Sequence, residues 1–304
     1  MQYNHQVSIL LPEQPGFFFR DSRIRTDVCL WNPLVKKNLG CFFEFTTGAN
    51  DEVLQLVPDN CLSFYFFLND APEGFIAGPH TSSKTINLPA HTTILIFKPL
   101  TILKTKFTAS FSQDSIEDVY PLDIFFKNSP LLAKLTEAHG YTERKEIFLS
   151  EARKHLLVPQ YGSSKYGSDL VDEMQLLICR TKGQKKVKYI AQKMGYSERY
   201  CHLLFNEAIG MSLKLYSEVI RFQNVIKMFF HQTTNFLEVA LANNLHDQAH
   251  LYHVVKRFTS YAPSEYLRTF YKYENFGLPV NAVQRDYKNS PEQGESEMPK
   301  AFQI

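Results

Sequence analysis

The chain has 304 residues, of which 44% are hydrophobic and 21% charged, and its formal net charge is +2. This length predicts two domains, and the composition is that of an ordinary globular protein. No run approaches the ~18–20 apolar residues that a membrane-spanning helix needs. Residues 1–16 lack the basic start and apolar centre of a signal peptide. We therefore expect a cytoplasmic protein without membrane contact.

The five cysteines are an odd number, and no two of them form a CxxC pair. Disulfide frameworks and zinc knuckles both need paired cysteines at short, regular spacing. Their usage therefore favours free thiols in a reducing compartment. The residues are Cys29, Cys41, Cys61, Cys179 and Cys201.

Short β-type runs dominate the first ~110 residues, by their alternation and their content of β-branched and aromatic residues. Four such runs are CFFEFTT, CLSFYFFLN, KTINLPAHTTILIFKPL and KTKFTASF, and turn-type clusters such as GAND, VPDN, NDAPEG and GPHTSS separate them. This pattern predicts a small β-barrel or sandwich. We assign residues 1–125 to this domain.

Aromatic residues are frequent in this β-rich part, where they predict either a hydrophobic core, the commoner arrangement, or the lining of an apolar ligand pocket. They are Phe17, Phe18, Phe19, Phe64, Tyr65, Phe66 and Phe67. His80 and His91 stand eleven residues apart without an HxH pair or an adjacent glutamate, so we read them as turn or surface residues and expect no metal site.

The hydrophobic period changes from about residue 123. Residues 129–155 and 168–181 are predicted to be helical, and Leu170, Val171, Met174, Leu177 and Ile178 fall on one helix face. The stretch VPQYGSSKYGSD (158–169) is predicted to be a loop or hinge. We assign residues 126–167 to a helical connector and linker, 168–276 to a helical domain, and 277–304 to a polar, flexible tail.

The helical domain contains an internal repeat. The first copy spans residues 189–216 and the second 238–266, and after a one-residue insertion they are offset by fifty. In each copy a short helix precedes a turn, and Ser197 or Asp247 then provides an N-cap for a second amphipathic helix. Gly195 and Asn244 suit the left-handed conformation of that turn. The repeat therefore predicts two helix-turn-helix units, held apart by a long helix over 212–232.

This repeat resembles the AraC/XylS family of transcription regulators, through IAQKMGYS in the first copy and DQAHL, VKRF and PSEY in the second. The segments LQLVPDNCLSFYFFLND and AGPHTSSKTINLPAHTTILIFKPL look like the cupin-type sensor domain of one branch. The resemblance implies an α+β chain, with a cupin-like β-barrel followed by an all-α tandem helix-turn-helix DNA-binding domain. It also implies double-stranded promoter DNA and RNA polymerase as partners, a small-molecule effector or a homodimer, and no cofactor.

A recognition helix of this type lies in the major groove with its exposed side chains at base edges, and two helices ~34 Å apart reach successive grooves. In the first copy we expect Tyr200, Cys201, Leu204 and Phe205 to pack inward. In the second copy, His250, Leu251, Val254, Val255 and Phe258 should face the core or the helix ends. The predicted DNA-binding residues are Ser197, Glu198, Arg199, His202, Leu203, Asn206, Gln248, Ala249, Tyr252, His253, Lys256 and Arg257.

Charge is distributed unevenly along the chain. Residues 1–130 carry 10 Lys/Arg and 13 Asp/Glu, a net of −3, whereas residues 183–276 carry 12 and 7, a net of +5. The basic helical domain is consistent with a polyanion partner, although such a modest excess is also typical of a solvated surface. Candidate phosphate contacts are Lys185, Lys186, Lys188, Lys256 and Arg257.

Three histidines, His246, His250 and His253, lie within eight residues and raise the alternative of a metal site. His246 precedes the N-cap, and no carboxylate or cysteine stands at ligand spacing, so we expect no metal. His250 matches a histidine that looks structural in the family. His253 stands where the family usually has arginine, and it is interpreted either as a groove-facing residue or as a plain surface histidine.

Departures from the family pattern keep alternatives open. Leu203 occupies a position that commonly carries a basic residue, and Asn206 replaces a common lysine. The first unit is therefore expected to attract DNA weakly, and the chain could be a helical interaction scaffold that no longer reads operators. A cupin-type enzyme is a further alternative, but no nucleophile–base pair, phosphate loop or metal cluster supports it, and we expect no enzymatic activity.

Overall fold

The computed structural model of the protein describes residues 12–18, 24–30, 39–100, 118–155, 165–232 and 235–270. A β-rich N-terminal part precedes a helical C-terminal part, which confirms the predicted α+β organisation. The predicted strand KTKFTASF and the predicted tail 277–304 lie outside the described residues.

Within the described residues, the β-rich part forms two antiparallel sheets. A six-stranded sheet has the order β1-β2-β7-β4-β5-β8, and β3 pairs with β6 in a two-stranded sheet. The strands are β1 (Arg25–Leu30), β2 (Leu39–Thr46), β3 (Glu52–Leu56), β4 (Ser63–Leu68), β5 (Glu73–Ala77), β6 (Lys84–Leu88), β7 (Thr93–Pro99) and β8 (Val119–Pro121). Strand β7 pairs with β2 and β4, which both lie far from it in sequence, so the large sheet depends on long-range contacts.

Both faces of the large sheet are covered, and every residue of β4 is buried. Alternating residues of β2, β4 and β7 face the small sheet and pack against Leu54, Leu56 and Leu88. The opposite face packs on two helices, where the ring of Phe148 lies 4.6 Å from that of Phe97. This three-layer arrangement explains continuous apolar strands such as SFYFFL, since a strand buried on both faces needs no polar alternation.

The aromatic residues of β4 are core residues, as the commoner interpretation predicted. Phe64 and Phe66 face the helices, whereas Tyr65 and Phe67 face the small sheet together with Phe17. The side chain of Phe18 and all of Phe19 lie outside the description. Since the described strands form two separate sheets, a closed cupin-like barrel stays a prediction.

Nine helices are present in the described residues. They are α1 (Leu131–Glu137), α2 (Tyr141–His155), α3 (Lys165–Arg180), α4 (Val187–Met194), α5 (Glu198–Ile209), α6 (Leu213–His231), α7 (Phe236–Ala242), α8 (Gln248–Thr259) and α9 (Pro263–Phe270). The predicted loop over 158–169 was wrong at its C-terminal end, because α3 already begins at Lys165. The apolar face of α3 from Leu170 to Ile178 packs against α4, α5 and α6, and this tertiary contact stabilises the helix that follows the loop-like residues.

Helix α6 joins two separate hydrophobic cores. Leu213, Tyr216 and Ile220 near its start pack with α3, α4 and α5. Val219 and Phe222, with the residues after them, pack with α7, α8 and α9. Because α6 is covered on several sides, thirteen of its residues are buried, and this ~28 Å helix belongs to the cores of both units.

The β-rich part docks on α6 through polar contacts. Gln223 is 1% exposed, and its side chain accepts a hydrogen bond from the Glu13 amide (2.7 Å) and donates to the Pro58 carbonyl (2.6 Å). Asn60 donates to the Tyr216 carbonyl, and Val57 joins the second helical core. Residues 57–60, the docking loop, and Glu13 thus contact α6 together.

Behind this docking loop lies a buried ion pair. Lys98 Nζ is 2.8 Å from Asp59 Oδ2, and both side chains are 1% exposed. Lys98 also donates to Ser63 Oγ, while the Gln14 amide donates to Asp59 and to the Val57 carbonyl. The docking loop is therefore anchored in the β-rich core on one side and on α6 on the other.

Candidate nucleic-acid interface

The predicted repeat is present in the structure with its fifty-residue offset intact. Helix α5 spans 198–209 and α8 spans 248–259, and each follows a shorter helix, α4 or α7. The predicted N-caps are confirmed, since Ser197 Oγ accepts from the Tyr200 amide (3.2 Å) and Asp247 Oδ1 from the His250 amide (2.7 Å). Each cap satisfies an amide that the first turn leaves without a partner.

The turns of both units use left-handed residues at the predicted positions. Gly195 has φ 78° and Asn244 has φ 54°. The recognition helices also end alike, at Gly210 (φ 76°) and Ser260 (φ 69°). An asparagine or serine in this region is less favourable than glycine, so the second unit maintains the same geometry at some cost.

The exposed face of α5 carries both polar and apolar side chains. Cys201 and Phe205 are buried as predicted, Leu204 is half-buried, and Arg199, Leu203 and the other predicted contact residues are at least partly exposed. The inward placement of Tyr200 was wrong. Its side chain is 44% exposed and its ring stacks on that of Tyr196 at 5.0 Å, because Cys201 and Phe205 form the buried face of α5 and the helical twist turns Tyr200 away from that face.

Helix α8 presents a similar exposed face. Leu251, Val255 and Phe258 are buried, and Val254 and His250 are half-buried. The exposed residues are Gln248, Ala249, Tyr252, His253, Lys256 and Arg257. All twelve predicted contact residues are thus at least partly exposed, eleven of them on α5 or α8 and Ser197 at the N-cap of α5, where a groove could be reached. Their contact with DNA stays a prediction.

Most of the positive charge of the first unit lies at or near α4, whereas α5 carries Arg199 alone. Lys185, Lys186 and Lys188 are exposed around the start of α4, as is Lys193 near its end. The ammonium groups of Lys185 and Lys193 lie 5.3 and 5.7 Å from the centre of the Tyr189 ring. Lys193 was not among the predicted phosphate contacts, although a residue four positions after Tyr189 lies on the same helix face as that ring. The first unit therefore has more phosphate-binding capacity than α5 alone suggests.

In the second unit, the exposed side chain of Arg257 forms an intramolecular ion pair. Its guanidinium is 2.8 Å from Glu218 Oε2 on α6 and 5.0 Å from the ring centre of Phe258. Lys256 Nζ lies 3.3 Å from the Tyr252 hydroxyl and remains exposed. Of the two, Lys256 is the better placed for a phosphate, since Arg257 would have to leave a carboxylate partner.

The histidine segment has no metal-binding geometry in the described residues. The rings of His246 and His250 stack at 5.8 Å, and no group of three or more potential metal ligands occurs in the part of the chain that is described. His253 lies exposed on α8, next to Tyr252. In the β-rich part, His80 is a buried turn residue whose Nδ1 is 2.7 Å from the Ser82 carbonyl.

The cysteines are free, and burial governs their acidity. Burial raises the pKa of Cys29 and of Cys179 to about 11 and that of Cys41 to about 12. Such thiols stay protonated near neutral pH and are therefore poor nucleophiles.

None of the described helices is long and apolar enough to cross a membrane.

Comparisons with known proteins support this interpretation of the helical domain. Residues 190–269 match the model of a helix-turn-helix domain, which is of the AraC type. A search among curated proteins finds no match.

Solved structures of ToxT from Vibrio cholerae are similar at low levels. One covers 82% of this chain and 99% of its own, at 9% identity and a TM-score of 0.40. ToxT with a bound unsaturated fatty acid covers 84% and 97%, at 11% identity and a TM-score of 0.37. These values are too low to carry an inference about this chain.

Proposed function

We propose that this chain is a sequence-specific transcription regulator that reads promoter DNA through its helix-turn-helix domain, residues 190–269. Helices α5 and α8 enter successive major grooves on one face of the duplex. The single observation that carries this proposal is the repeated geometry: two capped second helices in fifty-residue register, both with exposed outer faces, on either side of α6. Both units pack on the single helix α6, which fixes their relative placement, as reading two grooves on one face of the duplex requires.

Within each unit, different side chains have different roles. Arg199 suits guanine and Gln248 suits adenine, because their side chains can form two parallel hydrogen bonds with those base edges. The lysines around α4, together with Lys256, contact phosphates and position the helices without reading sequence. Arg257 contributes less, since it is paired with Glu218.

The β-rich domain regulates the reader, either by binding a small molecule or by pairing two subunits. Supporting this role, it contacts α6, the helix that sets the spacing between the two units, through Gln223 and Tyr216. A change in the docking loop would therefore reach both units at once. We further propose that the protein acts in the cytoplasm on RNA polymerase, and that it is not an enzyme.

The experiment that tests this function is selection of bound sites from random duplex DNA by the full-length protein, at two salt concentrations. Two enriched half-sites about one helical turn apart are expected. One half-site alone would mean that only one unit reads bases. Binding without sequence preference, lost at high salt, would overturn the proposed function, because it would reflect phosphate attraction only.

An interaction scaffold is the second candidate. It is favoured by Leu237 and Leu241, which are 46% and 62% exposed on one face of α7. Exposed leucines four residues apart on a helix can form a docking ridge for another protein. Salt-insensitive binding to a protein, with no DNA selected, would support this candidate instead.

A further inference from the structure

Leu203 is an exposed apolar residue at the centre of the first recognition face. Its side chain is 62% exposed, one helical turn after Arg199 and three residues before Asn206, both on the same side of α5. Cys201 and Phe205 fill the core on the opposite side of the helix. Leu203 is therefore outside the core of this unit, and most of its side chain is available to a ligand.

The second unit has different chemistry at the equivalent position. With the fifty-residue register, His253 corresponds to Leu203, and Lys256 corresponds to Asn206. Both residues of the second unit are exposed and can donate hydrogen bonds. The two recognition helices thus share one backbone arrangement but offer an apolar group in one unit and polar groups in the other.

Base edges in the major groove offer one apolar group, the C5-methyl of thymine, among hydrogen-bond donors and acceptors. A leucine cannot satisfy a donor or an acceptor, and placing it against one would leave that polar group without a partner. Against a methyl group, by contrast, burial of both apolar surfaces is favourable. A leucine on a groove-facing helix therefore selects for thymine.

Charge near Leu203 favours DNA over a protein surface as the occupant. Arg199 is exposed on the same helix, and four lysines are exposed around the preceding helix of the unit. These five cations outnumber the two exposed acids of α5, Glu198 and Glu207. The lysines are Lys185, Lys186, Lys188 and Lys193. A phosphate backbone complements such a set of cations, and phosphate contacts of this kind orient the second helix in the groove.

We propose that Leu203 reads the C5-methyl group of a thymine, so that the first unit recognises its half-site partly through an apolar contact while the second uses hydrogen bonds. This inference rests on the proposed function, since it requires α5 to lie in the major groove. Leu203, which replaces a residue that is commonly basic in the family, would then contribute to sequence selection instead of only weakening DNA binding.

The test uses full-length protein and a duplex obtained by selection from random DNA. Each thymine is replaced in turn by deoxyuridine, which lacks only the methyl group, and dissociation constants are measured for wild type, Leu203→Ala and His253→Ala. We expect one thymine in one half-site at which deoxyuridine weakens wild-type binding about fourfold, the loss associated with one buried methyl group. Leu203→Ala should bind the thymine and deoxyuridine duplexes equally well, whereas His253→Ala should retain the fourfold difference.

The outcomes separate this inference from the function on which it rests. If the wild type selects a sequence but no deoxyuridine penalty depends on Leu203, the inference is overturned and the DNA-reading function stands. If Leu203→Ala binds DNA like the wild type but loses a protein partner, the inference is also overturned. If no sequence is selected, the proposed function itself fails. Because Leu203 is exposed, its alanine variant should fold normally, which circular dichroism checks.

Discussion

At the residue scale, the exposed side chains of α5 and α8 divide into base readers and phosphate contacts. Arg199→Ala and His253→Ala should each weaken binding to the selected site by about 1–3 kcal/mol, if each contacts a base. Lys256→Ala should weaken binding to all sequences alike and reduce the slope of log affinity against log salt by about one unit. Titration of selected and scrambled duplexes at several salt concentrations distinguishes the two kinds of loss.

Gln192→Ala is a suitable control for these variants, because Gln192 is exposed on α4 and is not a predicted contact residue. It should bind both duplexes like the wild type. If Arg199→Ala and His253→Ala also bind the selected duplex like the wild type, the assignment of the reading faces is wrong.

The buried ion pair of the β-rich domain makes a second residue-scale prediction. Burial alone would raise the pKa of Asp59, but the charges of Lys98 and His80 and hydrogen bonds from Lys98 and Gln14 outweigh it, and the pKa lies below its ordinary value of 3.8. Lys98→Met leaves a buried carboxylate without its cation and should cost about 3–5 kcal/mol of unfolding free energy at neutral pH.

The pH dependence of this loss follows from the direction of the shifts. In the wild type the stabilisation from Asp59 is fully present above the ordinary pKa and is lost as pH falls through the lowered one. In Lys98→Met, burial raises the pKa of Asp59 instead, so protonation should relieve the penalty as pH falls towards 4. Urea unfolding at several pH values measures this. The double variant with Asp59→Asn should recover most of the stability at neutral pH, and a loss that persists would contradict the ion-pair explanation.

At the element scale, Gly183 allows the turn after α3 to lie directly on α6. Its φ is 65°, and a Cβ there would collide with the Ser217 carbonyl and crowd the Arg221 amide. The Gly183 carbonyl also accepts two hydrogen bonds from the Arg221 guanidinium, at 3.2 and 2.9 Å. Gly183→Ala should therefore cost more unfolding free energy than the about 1–2 kcal/mol of left-handed strain alone.

Gly195→Ala provides a matched control for that prediction. Gly195 has a similar φ of 78°, but a Cβ there would meet nothing within 4 Å. Its alanine variant should show the strain without the collision, about 1–2 kcal/mol in urea unfolding. Equal losses in the two variants would mean that the close approach to α6 does not contribute to stability.

At the scale of the whole molecule, Gln223 connects the two domains. Gln223→Ala removes its hydrogen bonds to the Glu13 backbone and the Pro58 carbonyl, and a buried polar group left without a partner costs about 1–3 kcal/mol. Hydrogen exchange should therefore accelerate in residues 12–17 and 57–61, while protection in α8 stays unchanged. Gln192→Ala again serves as the control, and undiminished protection of both segments would contradict a role for Gln223 in docking.

Several features of this protein could be predicted from its sequence because they depend on residues close together in the chain. Helix periodicity, the Ser197 and Asp247 caps and the left-handed turns at Gly195 and Asn244 are all local. The repeat predicted two helix-turn-helix units. The helical period of polar and apolar residues then predicted most of their exposed side chains.

Tertiary structure decided what depends on residues distant in sequence. A lysine is usually exposed, yet Lys98 is buried in an apolar strand because Asp59, 39 positions earlier, supplies a carboxylate partner. Tyr200 was predicted to pack inward, but Cys201 and Phe205 form the buried face of α5, and the Tyr200 ring stacks on Tyr196 at the surface. Likewise, only packing places residues 57–60 against α6, since no local pattern specifies which distant surface satisfies the Pro58 carbonyl.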